Sequence, residues 1–241
     1  VGLANEPDYS GTNSVKTVGG NGDKLNAKTS ATRYFSAAVR GGSRNFLRGD
    51  ALNPEEVNRA IDTGKQYCDY MKKGGFELAA VGEVGVANTL CAAALATVIT
   101  GYEPARLTGK GSAGNQVIAR KLDIINRALA YRTPAPDDPV DLFARFGGLE
   151  IAALTGFIIQ ARENSLPVML DGYVTAVAAL IAGLFEPESV SNVYAPSLSE
   201  QIGHDVVLKK LGIEPLVNLE INYGEGLAAA MGLLLAEITQ I

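Results

Sequence analysis

The chain has 241 residues, of which 21 are Lys or Arg and 26 are Asp or Glu, for a net charge of -5. That acidic balance argues against a nucleic-acid phosphate backbone as the main partner and favours a small-molecule ligand. The length suits one main domain with a substantial core.

Residues 1–50 are rich in Gly, Asn, Ser and Arg without sustained periodicity. They read as a loop-rich N-terminal segment with short extended pieces, expected to cover a site rather than build the core. The chain opens on Val1 rather than methionine, which reads as a processed, trimmed or fragmentary product. Residues 51–241 carry the regular pattern. Asn53-Pro54 supplies a cap and a first-turn proline, and Val57, Ala60, Ile61, Tyr67, Cys68 and Met71 follow helical spacing until Gly74-Gly75. Leu78 to Val81 reads as a short buried strand, followed by Gly82-Glu83-Val84-Gly85 and an apolar helix from Ala87 to Thr100. Ile118, Leu122, Ile125 and Leu129 mark the next helix, and Asp138-Pro139 starts another. Leu149 to Glu163 is predicted helical, Pro167 to Leu170 a buried strand, Tyr173 to Leu184 helical and Val193 to Ala195 a weaker strand. Leu216 to Ile221 reads as extended and gives way to a final helix. Short apolar strands alternating with longer helices predict an α/β fold, a parallel sheet covered by helices on both faces.

The longest apolar runs, such as Val174 to Phe185, fall short of the roughly 20 residues that span a bilayer, so the expectation is a soluble, cytoplasmic protein. Cys68 and Cys91 form neither a Cys-x-x-Cys pair nor a disulfide framework and read as reduced, buried thiols. His204 is the single histidine, which excludes a His-rich zinc site. It follows Gly203 at a helix start and is expected to be structural or at the surface.

In an open parallel sheet, ligands bind beyond the carboxyl ends of the strands. Glu83, Asp171 and Glu225 all fall at such ends. Each alone reads as a cap or turn residue, but three on one edge predict a polar pocket. Asn222-Tyr223-Gly224-Glu225-Gly226 sets a carboxylate between two glycines at a helix opening, which suits a general base beside an anion site. An ordinary first-turn acid fits the same letters. Gly109 to Gly114 matches Gly-x-Gly-x-x-Gly, but residues 103–108 do not read as the strand a dinucleotide fingerprint requires. Nor is it a Walker loop, because Lys110 precedes Gly111 rather than Ser or Thr. What remains is a phosphate cradle, with backbone N–H groups of Gly109, Gly111 and Ser112 and charge from Lys110 or Lys121, or else a plain turn. Val168 to Thr175 lacks the second acid of a diphosphate-sugar loop, which disfavours a magnesium-dependent diphosphate donor.

Five stretches occur in a telling order: Gly42-Ser43-Arg44-Asn45-Phe46, Gly82-Glu83-Val84-Gly85-Val86-Ala87-Asn88-Thr89, Gly147-Gly148-Leu149-Glu150-Ile151-Ala152, Leu166-Pro167-Val168-Met169-Leu170-Asp171-Gly172-Tyr173, and Leu211-Gly212-Ile213-Glu214-Pro215 leading into Gly224-Glu225-Gly226. Together the chain resembles the nicotinate-nucleotide:dimethylbenzimidazole phosphoribosyltransferases of cobamide lower-ligand assembly, including relatives that activate phenolic bases. The resemblance implies a Rossmann-like α/β domain with a small helical appendage, working as a homodimer or as a heterodimer with a related subunit. It implies transfer of the phosphoribosyl group of nicotinate mononucleotide to an aromatic base, releasing nicotinate, with no metal and no cofactor beyond the nucleotide substrate. Glu225 then takes the proton from the attacking base. The resemblance sets Glu83, Asn88 and Thr89 near the phosphoribosyl group, Gly109, Gly111, Ser112 and Lys121 at the phosphate, and Asp171, Ser199, Gly224 and Gly226 around the substrate. The chain departs from the family at Leu227-Ala228, where Ser-Gly is usual, and at Leu90, where a second Thr is usual. Its serine stretch, Ser197-Leu198-Ser199-Glu200-Gln201, lacks the usual flanking His and acid. The family's N-terminal helices, which help enclose the base, would precede Val1. Two further readings are a noncatalytic, family-shaped subunit or nucleotide-binding protein and, from the glycine loop alone, a dinucleotide-binding oxidoreductase.

Overall fold

A computed structural model of the chain describes residues 16–18, 32–34, 36–111, 115–221 and 223–239. Strands β1 (Lys16–Val18) and β2 (Thr32–Tyr34) pair antiparallel. Ser112 and Asn222 lie outside the described residues.

Helix α1 (Pro54–Lys73) begins where its sequence signal stands: the Asn53 side chain accepts the Glu56 N–H at 2.8 Å, and the Glu56 carboxylate accepts the Asn53 N–H at 2.9 Å. The same carboxylate takes two hydrogen bonds from the Arg44 guanidinium, at 2.6 and 2.8 Å. Chiefly for that reason Glu56 is held down at about 2, well below the usual carboxylate range. Helix α5 (Leu149–Glu163) packs along α1 with the two backbones almost touching. A Cβ on Gly64 would stand 1.8 Å from the Ala153 carbonyl oxygen, and one on Gly156 would stand 2.0 Å from that of Ile61. Only glycine permits this approach.

Parallel strands β3 (Ala79–Ala80), β4 (Val168–Met169) and β5 (Val193–Tyr194) form a short three-stranded sheet in that order. Strands β6 (Ser197–Ser199) and β7 (Val217–Ile221) form a second parallel pair. The two are joined through the backbone at Ala195-Pro196, whose carbonyls accept the N–H groups of Leu216 and Val217. Proline has no N–H to give a ladder, so the chain bends there and the parallel layer continues as two pieces. Side chains alternate across the first piece as the pleat requires. Ala79, Val81, Val168 and Leu170 enter the main core, whereas Met169 and Ala80 pack against α8 (Leu227–Thr239) through Ala229, Leu233 and Ala236. The sheet is thus covered on both faces, with helices α2 (Asn88–Thr100), α4 (Pro139–Phe146) and α6 (Tyr173–Phe185) in the main core. Helices α3 (Ile118–Tyr131) and α7 (His204–Leu211) complete the described set. None of these helices is long and apolar enough to cross a membrane.

Of residues 1–50, expected to cover a site, 1–15, 19–31 and 35 lie outside the described residues, and 36–50 tie into the core. Phe46 is buried and meets Phe146 edge to face, at 5.5 Å between ring centroids. Fully buried Arg145 donates to the carbonyls of Phe46, Gly49, Ala128 and Arg132, so one guanidinium fork gathers three segments.

Candidate functional site

The carboxyl ends of β3, β4, β6 and β7 all open at one edge, into a cavity of about 180 Å³. Its wall includes Glu83, Asn88, Thr89, Lys110, Gly111, Asp171, Ser199, Tyr223, Gly224 and Glu225. The two acids separated most widely in sequence, Glu83 and Glu225, therefore face one space. They meet because two glycine turns touch through their backbones: a Cβ on Gly82 would stand 2.5 Å from Gly226 Cα and 2.6 Å from its nitrogen.

Asp171, at the end of β4, fixes the second of these turns. Its Oδ2 accepts the Gly226 N–H at 3.0 Å, and its Oδ1 accepts those of Ala228 and Ala229 at 2.8 and 3.3 Å. A carboxylate 55 residues upstream of Gly226 thus caps α8, satisfying helix N–H groups that lack partners within the helix. Glu225 sits just before this helix, exposed to solvent, with a left-handed backbone at φ 63°. A non-glycine residue in that region is uncommon and strained, and here the turn is pinned on both sides.

Glu83 is half-buried, and its carboxylate accepts a hydrogen bond from Asn88 Nδ2. Burial raises its pKa to about 6. The Asn88 bond opposes that shift, and the neighbouring charges of Glu150, Asp171 and Glu225 add to it. Asn88 Oδ1 in turn accepts the Thr89 N–H at 2.7 Å. Ala87, with φ 62°, turns the chain into α2 without a side-chain cap of its own; Asn88 takes the Thr89 N–H instead, and the Ala87 carbonyl takes those of Leu90 and Cys91.

Lys121 stands behind the wall rather than on it. Its Nζ donates to Thr89 Oγ1 at 2.9 Å and to the carbonyls of Gly109 and Lys110 at 3.0 and 3.4 Å, and burial lowers its pKa. It fastens the glycine loop to the start of α2. Gly109 and Gly226 likewise sit off the wall. The Gly111 N–H points to Gln201 Oε1 at 3.2 Å, and Lys110 pairs with Glu200 at 3.7 Å. A 3₁₀ turn at Pro104–Arg106 precedes this loop, where a dinucleotide fingerprint needs a strand.

Sequence reasoning gave no site role to three residues that shape the cavity. Glu150, in the first turn of α5, lies close enough to raise Glu83, and burial raises its own pKa. Gln201 clamps the glycine loop. His204, expected to be structural or at the surface, is 1% exposed and bonded to Ser199 on the wall. A first-turn acid and an apolar surrounding were visible for Glu150, but nothing local marked the other two.

Parallel strands whose carboxyl ends gather acids and a lysine-held glycine loop around one cavity define an α/β protein with a polar cleft suited to a small-molecule ligand. The family model DBI_PRT, described as Phosphoribosyltransferase, matches residues 14–240. The chain belongs to this family. It is 36% identical over 203 residues to the nicotinate-nucleotide–dimethylbenzimidazole phosphoribosyltransferase of Geobacter sulfurreducens, covering 83% of this chain and 58% of the relative. The Geobacter metallireducens protein of the same name is 36% identical over 200 residues, covering 83% of this chain and 57% of its own length. Among solved structures, CobT from Thermus thermophilus superposes with a TM-score of 0.78 at 34% identity, covering 83% of this chain and 60% of that one. The chain therefore spans a little under three-fifths of the length of these curated relatives.

Proposed function

We propose that the chain transfers the phosphoribosyl group of nicotinate mononucleotide to an aromatic base, a benzimidazole, purine or phenol, to give an α-riboside phosphate and nicotinate in cobamide biosynthesis. The observation that carries the reading is the shared cavity of Glu83 and Glu225 beside the Lys110-Gly111 loop. The relatives' names supply the donor and one acceptor.

On this reading the base nitrogen or oxygen forms a bond to ribose C1′ while the bond from C1′ to the nicotinate nitrogen breaks. The leaving electron pair neutralises the pyridinium. The acceptor's proton passes to the Glu225 carboxylate, whose left-handed turn projects it from the rim. Such a positioned base contributes typically 10²- to 10⁴-fold in rate. Half-buried Glu83, bonded to Asn88, lines the ribose side. Gly111 and Lys110 receive the phosphate, with Gly109 and Lys121 bracing them from behind. Asp171 and Gly226 hold the Glu225 turn, and Gly224, Ser112 and Thr89 complete the substrate set. The donor is itself the nucleotide, so the reading takes no separate cofactor or metal. It also takes a cytoplasmic setting, a dimer of like or related subunits, and a boundary near residue 50.

The test is nicotinate release from the purified protein given nicotinate mononucleotide and dimethylbenzimidazole, adenine or phenol. Glu225→Gln is expected to cut turnover by at least about 10²-fold. Unchanged turnover in that variant refutes the base assignment. The exposure of Glu225 supports a second reading, a nucleotide-binding subunit without turnover of its own. Calorimetric binding of the nucleotide with no nicotinate release would favour it.

A further inference from the structure

His204 and Ser199 set the hydrogen-bonding sense of one wall of the cavity. The imidazole is 1% exposed, and its Nδ1 lies 3.1 Å from the Ser199 backbone nitrogen and 2.9 Å from Ser199 Oγ. A backbone N–H only donates, so Nδ1 is the acceptor and carries no proton; the neutral ring's proton sits on Nε2, which is buried with no acceptor among the described residues. Burial, which pushes His204 down to about 4, keeps the ring neutral at ordinary pH. With Nδ1 bare, it has no proton to give Ser199 Oγ, so the 2.9 Å contact is made by the serine hydroxyl donating, and the single Nδ1 lone pair is shared between hydroxyl and backbone N–H. What Ser199 has left is lone pairs. It lines the cavity, with Oγ 4.0 Å from the place a Cβ on Gly172 would take, at the strand edge next to Asp171.

An oxygen showing only lone pairs repels a phosphate, whose oxygens also accept. It pairs instead with a hydroxyl that donates. We propose that His204 is a positioning residue that turns Ser199 into an obligate acceptor, and that Ser199 thereby recognises a ribose hydroxyl of the nucleotide and not its phosphate. This rests on the nucleotide reading above and adds to it a residue outside the cavity wall. It also divides the site. The phosphate is received on the side of Lys110 and its loop, and the sugar edge is read on the side of Ser199.

The experiment is calorimetric binding of nicotinate mononucleotide and its 2′-deoxy and 3′-deoxy forms to the wild type, Ser199→Ala, His204→Leu and His204→Asn. In the wild type, one deoxy form is expected to bind about three- to tenfold more weakly than the ribose form. Ser199→Ala abolishes that ratio. His204→Leu frees the serine proton and narrows the ratio, while His204→Asn, whose side-chain oxygen can stand in for Nδ1, restores it. A merely structural histidine would move all three affinities together. Equal binding of the three nucleotides by the wild type, or a ratio that persists in Ser199→Ala, overturns the inference while leaving nucleotide binding intact. If His204→Leu does not fold, the Ser199→Ala ratio still decides. Failure of the wild type to bind any of the three removes the function reading, and this inference with it.

Discussion

Removing the Asp171 carboxylate tests how the Glu225 turn is held. In Asp171→Ala the N–H groups of Ala228 and Ala229, both on buried residues, lose their acceptor, while that of half-buried Gly226 regains water. Each buried N–H left unsatisfied costs about 1 to 3 kcal/mol, and the 3.3 Å bond to Ala229 belongs at the low end of that range. The expected loss is about 2 to 4 kcal/mol. For a domain of this size 1 kcal/mol moves the melting midpoint by about 2 to 4 °C, so the midpoint falls by about 4 to 16 °C. Asp171→Asn keeps one acceptor oxygen but turns an NH₂ toward a helix N–H, and it falls between wild type and Asp171→Ala. Thermal melting followed by circular dichroism reads the stability, and nicotinate release reads the site. Both are lost together if Asp171 acts by capping α8. A variant that melts like the wild type yet loses nucleotide binding would show Asp171 to be a direct ligand, and the capping argument would be wrong.

Two further perturbations probe the neighbouring acid and the glycine contact. Glu83 has its pKa raised to about 6 by burial, so the folded state holds that proton more tightly than the unfolded chain does. Its stabilising contribution is fully present below the ordinary carboxylate range near 4.5 and is lost as pH rises through about 6. Glu83→Gln should therefore gain stability relative to wild type across that window, in melting midpoints taken at successive pH values; a relative loss would reverse the assigned cause. Gly82→Ala drives a Cβ to 2.5 Å from Gly226 Cα, which is backbone and has no rotamer to yield. It should cost about 1 to 3 kcal/mol and depress nicotinate release by parting Glu83 from Glu225. Gly49→Ala, where a Cβ meets nothing within 4 Å, is the control expected to change neither.

The letters announced the helices because their signals are local. Asn53-Pro54 with Glu56, and Asp138 with Pro139, place a cap, a proline and an acid within four residues, and the structure uses them that way. The strands were legible as apolar runs: of Leu78 to Val81, Ala79–Ala80 form the strand and the Val81 N–H still donates to the Met169 carbonyl, before Gly82 leaves to meet Gly226. The break at Pro196 had a visible cause, yet nothing local showed that the chain would go on pairing beyond it as β6. The site itself divides in the same way. That Glu83, Asp171 and Glu225 share an edge followed from where parallel strands end, a rule that needs only the strand assignments. The division of labour among them did not follow. One-dimensional order cannot show that Asp171 spends both oxygens on a helix 55 residues away, or that Gln201 reaches Gly111 across 90. His204 is the sharpest case. A histidine after glycine at a helix start reads as structural or at the surface, and only the fold reveals that its ring is sealed and that its bare nitrogen meets a serine on the cavity wall. The residue types of a site can thus be read from sequence where chain topology gathers them. Which of their protons and lone pairs remain free for a ligand is set by contacts between segments far apart in the chain, and that is the level at which specificity is decided.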